Sequence, residues 1–155
     1  MIPDRVRAIL EEHDLEALEF EPGSTPTSEQ AAARIGCEVG QIAKSMLFKG
    51  KDGIFRLIVC PGDRRVDNRK LRQTLGVNAR MATAEETFEQ TGFRPGAVCP
   101  FGVETIERFI DVGLARYETI YPAAGTDASG VPITFERLKR IVGARECDVM
   151  QESAG

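Results

Sequence analysis

Residues 41–50 read QIAKSMLFKG and residues 54–60 read IFRLIVC, with the turn GKDG at 50–53 joining them. Two apolar segments of strand length across a short glycine-bearing turn predict a central β-hairpin. One residue does not fit an apolar strand. Lys44 stands among Ile42, Ala43, Met46, Leu47 and Phe48, where it either snorkels its stem to reach water or is a cation placed for a purpose.

Working outward, Pro3 to His13 carries Val6, Ile9 and Leu10 at helical spacing, and LEALEF at 15–20 alternates like a strand. Thr27 or Ser28 caps a helix that runs through AAARIG and stops at Gly36. After the hairpin, PGD at 61–63 breaks the chain, and a helix starting near Asp67 ends at Gly76. A short strand around Ala79–Met81 and a Thr83-capped helix ending at Gly92 follow. Next comes GFRPGAVCPFG at 92–102, whose three glycines and two prolines in eleven residues fix an irregular loop. ERFIDV and YETIYP read as strands, GTDASG as a turn, VPITF as a returning strand, ERLKRIVG as a helix, and ECDVM as a last strand. Helices and strands mix without a βαβ rhythm, so the expected fold class is α+β. It is a single domain over 1–155 with a mixed, partly curled sheet surrounded by helices.

The 155 residues, 42% hydrophobic and 28% charged, suffice for one core. No apolar run of about 18 residues offers a membrane span, and PDRVRAILEEHD has no leader character, so a cytoplasmic protein is expected. Cys37, Cys60, Cys99 and Cys147 stand far apart with no CxxC pair. That pattern predicts free thiols, with neither a zinc site nor a disulfide framework. A net charge of −4 disfavours a general DNA-binding protein. Locally, RRVDNRKLR at 64–72 sets Arg64, Arg65, Arg69, Lys70 and Arg72 against one acid, either as a solvated helix face or as an edge that contacts phosphate.

The inventory of chemistry is narrow. The one histidine, His13, ends the first helix, so serine or cysteine triads lack their base. Metal ligands, a phosphate-cradling GxxxxGK[ST] loop and a GxGxxG fingerprint are all missing. A lysine at a strand start, a rigid Gly/Pro loop and a polar turn remain. They offer a cation and oriented backbone groups to a small polar ligand.

TSEQAAARIG, QIAKSMLFK, GFRPG and IYPAAGT occur in that order. Together they resemble the YbaK family of free-standing aminoacyl-tRNA editing proteins, which are similar to the editing domain inserted in bacterial prolyl-tRNA synthetase. The resemblance implies a deacylase that hydrolyses mischarged tRNA, most often tRNA for proline carrying a small wrong amino acid, without a cofactor or metal. It implies that Lys44 anchors the terminal adenosine and its phosphate. It also implies that Gly92, Phe93, Arg94, Pro95 and Gly96 frame the aminoacyl ester, that Gly125 precedes the last pocket loop, and that Ser45 and Met46 line the amino-acid pocket. Some members carry a histidine where this chain has Thr126, Asp127, Ala128 and Ser129. Asp127 then either contacts the substrate ammonium or is a turn residue. On this resemblance Arg64, Arg65, Arg69 and Lys70 would meet phosphates of the tRNA acceptor end, and a synthetase is a second candidate partner. The alternative function is a non-catalytic module that binds tRNA or a synthetase through the same pocket.

Overall fold

The structure, a computed structural model, describes residues 1–152. Its centre is the hairpin of β2 (Ile42–Gly50) and β3 (Phe55–Pro61), paired antiparallel so that Lys44 lies opposite Cys60 and Phe48 opposite Arg56. The turn closes because Gly53 adopts φ +80° and its N–H donates to Gly50 O. Asp52 adds an ion pair to Arg56 at 2.9 Å.

β5 (Glu107–Asp111) runs parallel to β3, and β8 (Arg145–Cys147) parallel to β5. On the far side of β2 two short strands share one edge. β4 (Ala79–Met81) pairs with Phe48–Gly50, and β6 (Tyr121–Pro122) pairs with Ile42 and Ala43. The result is an open six-stranded mixed sheet, with a separate two-stranded ribbon of β1 (Leu18–Glu19) and β7 (Ser129–Gly130).

Five helices surround the sheet: α1 (Asp4–Glu12), α2 (Ser28–Ile35), α3 (Asn68–Leu75), α4 (Ala84–Thr91) and α5 (Phe135–Val142). Their starts follow from side-chain caps: Thr27, Asp67, Thr83 and Thr134 accept from backbone N–H groups of α2, α3, α4 and α5. Each such cap contributes about 1 kcal/mol. Glycines in the left-handed region end the same four helices. One face of the sheet packs Leu47, Leu57, Val59 and Ile110 against Val6, Phe101 and Leu138. The other packs Phe48, Ile58 and Cys60 against Leu71 of α3 and Val149. Each fully buried aliphatic side chain stabilises the fold by roughly 1.5–3 kcal/mol.

Three expected strands are shorter than the pattern suggests. Of LEALEF only Leu18 and Glu19 pair, because the end of α1 consumes the start: Asp14 takes φ +54° and the Leu15 N–H returns to Leu10 O. YETIYP yields only Tyr121–Pro122, since Val112–Arg116 forms a 3₁₀ turn and Thr119 O is taken by the Gln41 side chain. VPITF is reduced to a bridge between Ile133 and Ile120, where the missing N–H of Pro132 interrupts a ladder. Conversely, the expected turn GTDASG ends in strand β7, which pairs with β1.

Candidate functional site

A cleft of about 290 Å³ opens where β2 begins. Its walls come from four places: the loop into α2 (Thr25–Ser28), the first residues of β2 including Lys44 and Ser45, the Gly96–Val98 arm, and the chain from Tyr121 through Thr126 to Ser129. Ala31, Ile35, Ile42 and Tyr121 supply an apolar side, since these residues also form a small hydrophobic cluster. The hydroxyl-bearing residues Thr25, Ser28, Thr126 and Ser129 supply a polar one.

Lys44 is exposed on the cleft wall, and among the described residues no carboxylate lies within ion-pair distance of it. Its register partner Cys60 is fully buried, and burial pushes that thiol well above its usual range, with Asp111 adding to the rise and Lys44 opposing it. Burial likewise pushes the Cys99 and Cys147 thiols up to about 12. All four cysteines are free. Among the described residues no three His, Cys, Asp or Glu side chains gather as metal ligands.

The Gly/Pro loop contributes to the cleft through one end. Gly96, at φ +87°, lines it, and a Cβ there would stand 3.6 Å from Pro26 O. Gly92 caps α4 beside Arg5, and Phe93 is only 2% exposed in the core. Arg94 stacks on Phe88 at 5.2 Å, and Pro95 is exposed. These four hold the loop rather than line the cleft. Met46 also differs from expectation: its side chain packs with Phe48 and Leu71. Alternation puts it on the same face of β2 as Lys44, but two residues further along, beyond the cleft wall.

Gly125 is fixed by contact, since at φ +84° a Cβ would meet Pro3 Cδ at 2.9 Å and Phe93 Cε1 at 3.0 Å. After it, Thr126 Oγ1 donates to Ser129 Oγ at 2.9 Å. Asp127 does not present its carboxylate to the cleft. Oδ1 accepts from Gly23 N–H at 3.1 Å, and its carbonyl accepts from Thr25 N–H at 3.1 Å and Thr25 Oγ1 at 2.7 Å. Asp127 is therefore a turn residue that clasps the 21–25 loop to the 125–129 turn.

The basic segment divides. Arg65 and Arg69 are exposed. Arg64 is half-buried, with its Nε shielded from solvent near Gly113. Lys70 is committed elsewhere, because its ammonium donates to Asp148 Oδ1 at 3.1 Å and Met150 O at 3.0 Å, which ties α3 to the C-terminal segment. A phosphate contact by Lys70 would require breaking that tie.

Two contributors were not visible in the sequence. Arg5 of α1 lies 4.3 Å over the Phe93 ring and donates to Gly102 O and Thr91 O, so it fastens both ends of the Gly/Pro loop. Thr25 and Pro26 read only as loop, and Thr27 or Ser28 only as a helix cap, yet together they form a wall of the cleft. No local pattern signals either, since both depend on contacts across the chain.

The mixed sheet thus carries at one end a small, half-apolar cleft with Lys44 and hydroxyl-bearing residues on its walls. The family model described as aminoacyl-tRNA editing domain matches residues 11–141, and the chain belongs to this family. The YwhH protein of Bacillus subtilis, itself uncharacterized, is 46% identical over 121 residues, which is 77% of this chain and 76% of that protein. The proline–tRNA ligase of Thermosipho africanus is 37% identical over 89 residues, or 57% of this chain, and the match spans only 16% of the ligase. Among solved structures, one described as a candidate trans-editing enzyme for prolyl tRNA synthetase superposes with a TM-score of 0.87 at 33% identity, covering 98% of this chain and 100% of that one. No helix among the described residues is long and apolar enough to cross a membrane.

Proposed function

We propose that this protein is a free-standing editing domain acting in trans as an aminoacyl-tRNA deacylase in the cytoplasm, cleaving the ester of tRNA for proline that carries a small non-cognate amino acid. The observation that carries this reading is the meeting of Lys44, without a carboxylate partner among the described residues, and Gly96 on one cleft at the start of β2. Family membership and the trans-editing relative support it. The volume of about 290 Å³ supports a small amino acid, since it lies at the lower edge of the roughly 300–1,000 Å³ typical of ligand pockets.

The reaction needs no protein base. An aminoacyl ester is activated and carries a neighbouring ribose hydroxyl able to orient water. Water adds to the carbonyl carbon, the C–O bond to the ribose breaks, and the ribose oxygen leaves with a proton that came from water. Lys44 holds the phosphate of the terminal adenosine by a charge-assisted contact, so the ester is positioned and the lysine is not the nucleophile. Oriented backbone groups stabilise the developing oxyanion.

The test is deacylation of a panel of tRNA(Pro) charged with alanine, cysteine, serine, threonine, 2-aminobutyrate or proline. Release of one or more small non-cognate residues with proline spared is the expected result. Binding of the charged tRNA with no turnover on any member would leave a non-catalytic module instead.

A further inference from the structure

β2 meets β3 through its even-numbered residues. Gly62 N–H donates to Ile42 O at one end and Gly50 N–H to Ile54 O at the other, and the register sets Lys44 opposite Cys60 and Met46 opposite Ile58. Because hydrogen-bonded pairs alternate along an antiparallel ladder, the odd-numbered residues turn their N–H and C=O to the opposite edge. That edge holds β6 at Ile42 and Ala43, β4 from Phe48 to Gly50, and the Ala82 N–H on Leu47 O. Between them lies Ser45, whose main-chain donor and acceptor face a gap that neither strand fills.

The gap has a structural cause. β6 runs parallel to β2 for two residues and then leaves the sheet, since the Ala124 N–H bends to Ser129 Oγ at 3.0 Å and Gly125 packs on Pro3 and Phe93. The gap lies on the cleft, because Ser45, Ala43 and Ala123 all line it. Ser45 is 9% exposed, and its Oγ is shielded and without a partner among the described residues. The accessible part of the residue is therefore not its hydroxyl.

We propose that the aminoacyl group occupies this gap as a strand of one residue: its α-ammonium donates to Ser45 C=O, and its ester carbonyl accepts from Ser45 N–H. The inference rests on the deacylase reading and adds the donor and acceptor that reading leaves unnamed. An α-amino ester carries donor and acceptor on adjacent carbons, N–Cα–C=O, the spacing that a residue offers to its opposite number in an antiparallel pair. When water adds, the carbonyl oxygen gains negative charge and its bond from Ser45 N–H strengthens. When the tetrahedral species collapses, the bond to ribose breaks and the same N–H returns to a neutral carbonyl. A peptide N–H held in a strand needs no reorganisation for this task.

The first experiment replaces the Ser45 N–H by an ester oxygen, through incorporation of the matching α-hydroxy acid at position 45. That N–H does not serve the β2–β3 ladder, so the unfolding temperature should hold. kcat should fall on the order of 10²- to 10³-fold with KM little changed, as for loss of one oxyanion donor; an unchanged kcat overturns the proposal. The second uses the unmodified protein and compares alanyl-tRNA(Pro) with lactyl-tRNA(Pro), each rate divided by its spontaneous hydrolysis. Lactyl ester should be at least about tenfold poorer, the scale of one missing charge-assisted bond; equal normalised rates overturn the ammonium contact even if the first variant fails to fold. Hydrolysis of no aminoacyl-tRNA by the unmodified protein would defeat the deacylase reading itself.

Discussion

β2 carries a lysine near each end, and the two have opposite fates. Lys49 lies where β4 covers the strand edge: its ammonium is 3.5 Å from Glu86 and 5.5 Å from the centre of the Phe55 ring. Glu86 is itself held by Arg80 at 2.7 Å and by the Thr83 N–H. Lys44 lies where the edge is open, with no carboxylate partner among the described residues and a cleft beside it. The same residue type on one strand is thus structural where its charge is answered inside the protein and available where it is not.

The largest test of that contrast is functional. Lys44→Ala should lower deacylation on the order of 10²-fold or more while leaving the unfolding temperature unchanged, as measured by release of the amino acid from charged tRNA. Turnover at the unsubstituted rate would remove Lys44 from the mechanism.

The contrast between free and committed cations recurs around α3, where Arg65 and Arg69 are exposed and Lys70 is tied to Asp148 and Met150. Arg65→Ala with Arg69→Ala should weaken tRNA binding and make the salt slope shallower by about one for every phosphate left unneutralised. Lys70→Ala should leave that slope intact and lower stability by about 0.5–1.5 kcal/mol, seen in urea unfolding. Equal slopes for both proteins would show that exposure does not sort these cations.

At the closed end of β2, pH gives a finer test. The Glu86 carboxyl is held well below the usual carboxylate range, chiefly by the Arg80 hydrogen bond and then by the Thr83 N–H. A depressed carboxyl contributes stability that is present above the unfolded value of about 4.3 and is lost as pH falls below it. Glu86→Gln should therefore flatten the loss of stability below about pH 4 while sparing deacylation at neutral pH; an unchanged acid limb would show that the cluster contributes nothing. The smallest effect belongs to Lys49→Ala, which should cost no more than about 0.5 kcal/mol and leave turnover intact.

The hairpin, the caps at Thr27 and Thr83 and the glycine helix ends were legible because each is written locally: an apolar run, a threonine, a glycine. The free lysine was legible as an oddity within β2. Met46 was misplaced because a motif position does not say how far along a strand the cleft wall extends. Lys70 could not be sorted from Arg69 by sequence, since its partner Asp148 lies 78 positions away. The expected strands 117–122 and 131–135 came out short where a 3₁₀ turn and Pro132 interrupted pairing that the apolar pattern alone would allow.

The clasp at Asp127 has a consequence for anyone redesigning selectivity. One residue bonds Gly23 through its carboxylate and Thr25 through its carbonyl, so two stretches about a hundred positions apart behave as one exchangeable cassette. Grafting the 125–129 turn from a relative without its matching 21–25 segment should leave the graft unmoored, and chimeras that move both together are the ones that will keep their shape.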